Sequence, residues 1–155
     1  MDTAAYYPTA QGLLEVLCSG GAVTGLRWTE RPAAPHQPSP LSDEAARQVC
    51  QYLAGERRTF DLPASPRGTA FQQRVWRALA EIPYGQTASY GDIAARLGRP
   101  KAARAVGAAA GRNPLWLIIP CHRCVGKNGA LTGYAGGVAR KTALLALEKN
   151  SERSK

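Results

Sequence analysis

Apolar and polar positions alternate in two short runs near the start of the chain. Residues 12–18 and 22–28 read as strands, and Ser19-Gly20-Gly21 between them reads as a hairpin turn. Four prolines between Arg31 and Pro40 predict a loop. Ser42 reads as a helix N-cap with Asp43 and Glu44 in the first turn, and that helix runs to about Leu53 and ends at Gly55. Residues 59–62 predict one more short strand, and residues 63–68 read as a linker.

Beyond the linker the apolar period becomes helical. Thr69-x-x-Gln72 is a capping box ahead of Phe71, Val75, Trp76 and Leu79, which fall on one helical face. Ile82-Pro83-Tyr84-Gly85 ends that helix in a turn. Ser89-x-x-Asp92 is a second capping box, ahead of Ile93, Ala94 and Leu97. Gly98-Arg99-Pro100 forms a tight turn, and Pro100 suits the first position of a third helix over residues 101–110. Two short helices about a glycine turn make the helix-turn-helix pattern. Its second helix is built mostly from small residues, too short to reach base edges in a major groove, with Arg104 the long cation standing out beyond Lys101 at its start. Such a helix suits either tight packing on a neighbour or close approach of its backbone to a ligand surface. Residues 115–119 form a continuous apolar run that reads as a buried strand, closed by Pro120.

Composition narrows the class. The chain has 155 residues, 45% of them apolar, enough for a real core and against disorder as the default state. The net charge of +9 is unevenly placed: residues 1–65 sum to −2 and residues 66–155 to +11. The predicted organisation is therefore α+β, with an N-terminal domain over 1–65 and a mainly helical domain over 66–155. The basic half points to a polyanion, with nucleic acid the first candidate. Met1-Asp2-Thr3 carries no basic leader and no long apolar run follows, so the chain is expected in the cytosol, with its four cysteines (Cys18, Cys50, Cys121, Cys124) reduced.

Chemistry concentrates at Cys121-His122-Arg123. A thiol at the end of a buried segment, flanked by His122 and Arg123, predicts an electropositive setting that lowers its pKa and favours the nucleophilic thiolate. Neighbouring residues point in different directions, so His122 is expected to reach Cys121 through a water. Glu148 is the apparent carboxylate to orient the imidazole. The plainer alternative makes Cys121 a small buried apolar residue. Cys121-x-x-Cys124 also admits a metal or redox reading, but only Cys18, Cys50 and His36 remain as further ligands, none at ligand spacing, and no βαβ context surrounds the motif.

Ile119-Pro120-Cys121-His122-Arg123 closely resembles the acceptor-cysteine signature of the O6-alkylguanine-DNA alkyltransferase (methylated-DNA–protein-cysteine methyltransferase) family. Gly68-Thr69-x-Phe71-Gln72, Ile82-Pro83-x-Gly85, Ser89-Tyr90, Arg104-Ala105-Val106-Gly107, Asn113-Pro114, Gly133-Tyr134-x-Gly136-Gly137, Lys141 and Leu144-Leu145-x-Leu147-Glu148 follow in the family's order and spacing. The resemblance implies an RNase H-like α/β domain followed by a winged helix-turn-helix domain. It implies a protein that flips O6-alkylguanine, and potentially O4-alkylthymine, out of duplex DNA and transfers the alkyl group irreversibly to Cys121.

The same resemblance distributes roles. His122 acts as base through water, Glu148 orients it, Asn113 holds the turn beside the site, and Lys141 favours the thiolate. Tyr90 presses on the phosphate beside the flipped nucleotide and protonates the departing guanine. Arg104 fills the gap left in the stack. Ala102, Ala103, Ala105 and Gly107 let the helix backbone approach the minor groove, with Arg99, Lys101 and Arg112 as phosphate contacts. Tyr134, Ala135, Gly136, Cys124 and Trp76 form the guanine pocket. No cofactor and no metal are expected, and the protein is expected to act as a monomer, with cooperative loading on DNA conceivable. Two positions depart from the pattern: Ala135 stands where some members carry Ser, and Cys124 stands where the residue is usually apolar.

Two other functions compete. A binding protein of the same fold that recognises lesions without repairing them would lack the acceptor, so Cys121 speaks against it. A helix-turn-helix transcription regulator would need longer polar side chains over residues 101–110 and would leave Cys121, His122 and Glu148 without purpose.

Overall fold

A computed structural model describes residues 2–131 and 134–153. The chain divides into two compact units, one running to Arg67 and including Pro114–Trp116, the other formed by Gly68–Asn113 and the chain from Leu117 onward.

The first unit is a three-stranded antiparallel sheet with one helix. Strands β1 (Thr3–Thr9), β2 (Gly12–Ser19) and β3 (Ala22–Thr29) lie in the order β1-β2-β3. Gly20 and Gly21 both take positive φ, 59° and 81°, the demand of a two-residue turn that matches strand twist. The sequence reading missed β1 because Pro8 interrupts it; as an edge strand it tolerates a residue that cannot donate. Helix α1 (Pro40–Leu53) starts earlier than expected. Ser39, not Ser42, is the N-cap, Pro40 takes the first helical position, and Ser42 completes the reciprocal capping box. Its Ala45, Val49 and Tyr52 are buried, as are Leu14, Val16, Val23 and Leu26 of the sheet.

Two expected strands in this unit do not form. Gln48 makes two hydrogen bonds to the backbone of Asp61, at 2.9 and 3.0 Å, so residues 59–62 are held by a side-chain amide in place of a ladder. Just beyond them Ala64 bridges Val23 of β3 in parallel. The apolar run at 115–119 is buried without being a strand. Leu115 bridges Leu26 in parallel, with Leu26 N–H donating to Pro114 O (2.8 Å) and Trp116 N–H to Leu26 O (2.9 Å). Leu117 then turns at φ 74°. Because Pro114–Trp116 joins β3, the single break expected after residue 65 becomes an interleaved division.

The second unit is mainly helical, which makes the chain α+β. Helix α2 (Ala70–Ala80) and helix α3 (Tyr90–Arg96) carry the expected capping boxes at Thr69/Gln72 and Ser89/Asp92. Helix α4 (Ala103–Gly111) starts later than Pro100, because Ala102 N–H closes a turn onto Arg99 O at 2.9 Å. Gly98, at φ 73°, makes the bend between α3 and α4. Strands β4 (Ala88–Ser89) and β5 (Cys124–Val125) pair in parallel, and α5 (Val138–Arg153) closes the unit. None of the described helices is long and apolar enough to cross a membrane.

Trp76 anchors this core. It is buried, and its indole N–H donates to Ala109 O of α4 at 2.9 Å. Gly68 passes so close that a Cβ there would lie 2.4 Å from the Trp76 ring. Gly68→Ala should therefore destabilise the protein by about 1–3 kcal/mol through overpacking, read as a lower urea midpoint at unchanged m.

Candidate active site

Cys121 sits on a tight turn. Pro120, at φ −79° and ψ 65°, is the centre of an inverse γ-turn in which Cys121 N–H donates to Ile119 O at 2.7 Å. A 3-10 turn, Cys121–Arg123, follows. Asn113 braces the bend: its amide donates to Ile119 O at 2.8 Å and its side chain also hydrogen-bonds the Cys121 sulfur. Asn113 is itself buried.

Beside the thiol lies a closed network of charged and polar groups. His122 Nε2 is 2.7 Å from Glu148 Oε2, and both side chains are fully buried. Arg123 grips the same carboxylate with two donors, Nε to Oε1 at 2.8 Å and Nη2 to Oε2 at 3.0 Å. Its third donor, Nη1, reaches Ile82 O at 2.8 Å. Gly85 N–H adds a further bond to Glu148 Oε1 at 3.1 Å. Each carboxylate oxygen thus accepts two hydrogen bonds. The 3-10 turn, the 82–85 turn and α5 all meet at Glu148.

The electrostatics differ from the expected activated thiolate. Burial pushes the Cys121 thiol up to about 11, against hydrogen bonds from Asn113 and the backbone and the charge of Lys141. Burial also drives His122 below its ordinary 6.5, against the pull of Glu148. The flanking cations do not make the site electropositive, because Arg123 is neutralised by Glu148 and His122 is held neutral. The resting pair is a thiol and a neutral imidazole, which is the state a general base needs.

Lys141 is fully buried on α5, and its Nζ donates to Cys124 O at 2.6 Å. Burial lowers its pKa, opposed by the nearby thiols. The Cys124 carbonyl, expected to take a guanine amino group, thus already holds one donor. The Cys124 thiol is buried and pushed up to about 12. No cysteine is in a disulfide, and among the described residues no three His, Cys, Asp or Glu side chains gather as a metal site.

A second group of residues lines a cavity of about 800 Å³: Ser89, the N-cap of α3, Tyr90 and Asp92 of α3, Ala103 and Arg104 of α4, and Lys127. Burial and the nearby cysteines raise the Tyr90 phenol to about 12, so it keeps its proton and can donate it. Gly107 faces the Tyr90 ring; a Cβ there would lie 3.8 Å away. Arg104, Lys101, Ala105 and Arg112 are exposed, while Ala102 and Ala103 are partly covered. Arg99 stacks its guanidinium 5.7 Å from the Phe71 ring centroid.

Of the expected pocket residues, Tyr134 is buried, and burial raises its phenol, with the nearby Cys121 sulfur acting in the same direction. Ala135 is exposed, and Gly136 O accepts from Arg140 at 3.1 Å. Gly133 lies outside the described residues. Trp76 is a buried residue of α2, its indole N–H bonded to Ala109 O and its ring edge against Gly68. Sequence reasoning missed two residues. Arg123 was visible only as a neighbour of the thiol, and its reach back to Glu148 needs the fold. Lys127 joins the Tyr90–Arg104 cavity through a loop with no sequence signal beyond its charge.

Comparison with known proteins gives a consistent result. Residues 70–150 match the family described as 6-O-methylguanine DNA methyltransferase, DNA binding domain. The chain is 50% identical over 144 residues to the methylated-DNA–protein-cysteine methyltransferase of Mycobacterium tuberculosis, covering 90% of this chain and 87% of that one. It is 54% identical over 121 residues to the constitutive methylated-DNA–protein-cysteine methyltransferase of Bacillus subtilis, covering 77% and 73%. Mycobacterium tuberculosis OGT solved in complex with DNA superposes with a TM-score of 0.88 at 48% identity, over 96% of this chain and 94% of that chain.

Proposed function

The chain belongs to the 6-O-methylguanine DNA methyltransferase family, and from that premise we propose that it is a DNA repair protein that takes the alkyl group of O6-alkylguanine onto Cys121. The observation that carries this reading is the buried Cys121 beside the His122–Glu148 pair at 2.7 Å. The Cys121 sulfur attacks the alkyl carbon while His122 accepts the thiol proton through water. A carbon–sulfur bond forms, the carbon–O6 bond breaks, and the electron pair leaves on guanine. Tyr90, still protonated at neutral pH, supplies a proton to the departing base. The product is a thioether, which has no hydrolytic route back to the thiol, so each molecule acts once.

The DNA side follows the same logic. A base inside a duplex is out of reach of a buried thiol, so the alkylated nucleotide is turned out of the stack. Small residues on α4 bring its backbone against the minor groove. Arg104 enters the gap, and Lys101, Arg112 and Arg99 meet phosphates. The protein works as a monomer on the lesion.

The deciding experiment is intact-mass measurement after incubation with a duplex carrying O6-methylguanine. One methyl per protein molecule is expected, with no further gain in excess substrate; no transfer by folded protein would sink the reading. A second expectation concerns pH. With His122 neutral below its ordinary 6.5, the rate with free O6-benzylguanine should stay level through neutrality and fall only in acid beyond that value. A fall already beginning above it would contradict a buried neutral base.

A further inference from the structure

The catalytic reading uses Glu148 to orient His122, yet most of the hydrogen bonding at that carboxylate comes from elsewhere. Arg123 takes Oε1 through Nε (2.8 Å) and shares Oε2 with His122 through Nη2 (3.0 Å). The fork is held in place from outside: Nη1 is tied to Ile82 O at 2.8 Å, and the guanidinium lies 5.6 Å from the Tyr84 ring centroid. Planar bidentate pairing of this kind is specific to arginine.

We propose that Arg123 is a positioning residue that keeps His122 in its proton-accepting form by holding the charge of Glu148 in a two-way share. This rests on the reading of His122 as the base for Cys121. The physics is a competition for one buried anion. A lone carboxylate 2.7 Å from an imidazole, both shielded from water, would turn the imidazole into an imidazolium by stabilising its charge. An imidazolium cannot accept the Cys121 proton. The guanidinium supplies the compensating positive charge instead, without a proton to give up.

The other charged groups facing the ring act in the same sense or are neutral. Lys141 of α5 disfavours a second cation nearby, and Cys121 of the same 3-10 turn is held as a thiol by burial. Among the described residues Glu148 is the one group that favours imidazolium, so the balance turns on what Glu148 shares. The direction found for His122, down from its ordinary value with Arg123 among the causes, agrees.

The test is the pH profile of alkyl transfer from free O6-benzylguanine, which bypasses DNA. In Arg123→Met the acid limb should move up by about one pH unit or more, so that at mildly acid pH the rate falls about tenfold beyond any loss in the plateau. Arg123→Lys keeps the charge without the fork and should return the limb most of the way. A lower plateau with an unmoved limb would mean that Arg123 only supports the fold, and would overturn the proposal. The unaltered protein provides a check that no variant can spoil. Nitrogen NMR of the His122 ring should show a neutral imidazole at neutral pH, and an imidazolium there would equally overturn it. If the unaltered protein fails to take up the alkyl group at all, the repair reading itself has failed.

Discussion

Cys121→Ala should reduce alkyl uptake from O6-methylguanine DNA to background, a loss of at least about 10⁴-fold of the kind seen when a nucleophile acting with its base is removed. The reason is that the neighbouring thiol cannot take over. Cys124, three residues on, is buried and its thiol is pushed up to about 12, higher than Cys121 itself. Asn113 and the backbone N–H groups that stabilise sulfur charge are aimed at Cys121. Intact mass should show no methyl gain, and peptide mapping of the unaltered protein should place the label on Cys121 alone. Affinity for the lesion duplex should change by less than about twofold, because the substitution removes no cation from the DNA face. A methyl found on Cys124 of the alanine variant would refute the assignment of a single acceptor.

Arg104→Ala should separate the two halves of the reaction. Repair of duplex DNA should slow by about a hundredfold, the kinetic equivalent of a few kcal/mol of unstacking left uncompensated once nothing fills the vacated position. Reaction with free O6-benzylguanine should change by less than about threefold, since Arg104 is exposed and lies outside the hydrogen-bonded network around Cys121. Parallel time courses with the two substrates give the ratio directly. Equal slowing of both would argue against a base-replacing role and for a structural one. Lys127, in the same cavity, provides an internal comparison. As a plain phosphate contact, its removal should weaken binding at all sequences and reduce the salt dependence by about one ion.

The parts of the fold that were legible from sequence are those governed by neighbours in the chain. The capping boxes at Thr69 and Ser89 and the glycine pair between β2 and β3 specify their own geometry. The parts that were not legible depend on distant partners. The run 115–119 is apolar because it is buried, and a period-free apolar run says nothing about pairing. Residues 59–62 lost their strand to a side chain, Gln48, that local pattern cannot weigh.

The site divides the same way. Cys121, His122 and Glu148 stood out as chemistry, and the family resemblance assigned them roles. Their protonation states depend on how deeply the fold buries them and on how Arg123 uses its charge. Spacing suggested an electropositive nucleophile. Burial outweighs that suggestion, and the resting thiol is a poor nucleophile until its proton has somewhere to go.

The pairing of Leu26 with Leu115 also bears on the order in which the protein can be made. During synthesis β3 emerges early, and the partner that satisfies its outer edge at Leu26 is encoded only after the two helices of the helix-turn-helix. Until Trp116 has left the ribosome, the edge of β3 at Leu26 lacks Pro114 and Trp116 as hydrogen-bond partners, the kind of opening at which nascent sheets mispair. The segment that closes that edge is followed within five residues by Cys121, the proposed acceptor. Completion of the sheet and delivery of Cys121 are therefore nearly simultaneous events in the birth of the chain. A protein that is used once must be replaced by new synthesis, and this interleaving ties the readiness of each new copy to the emergence of residues 114–121.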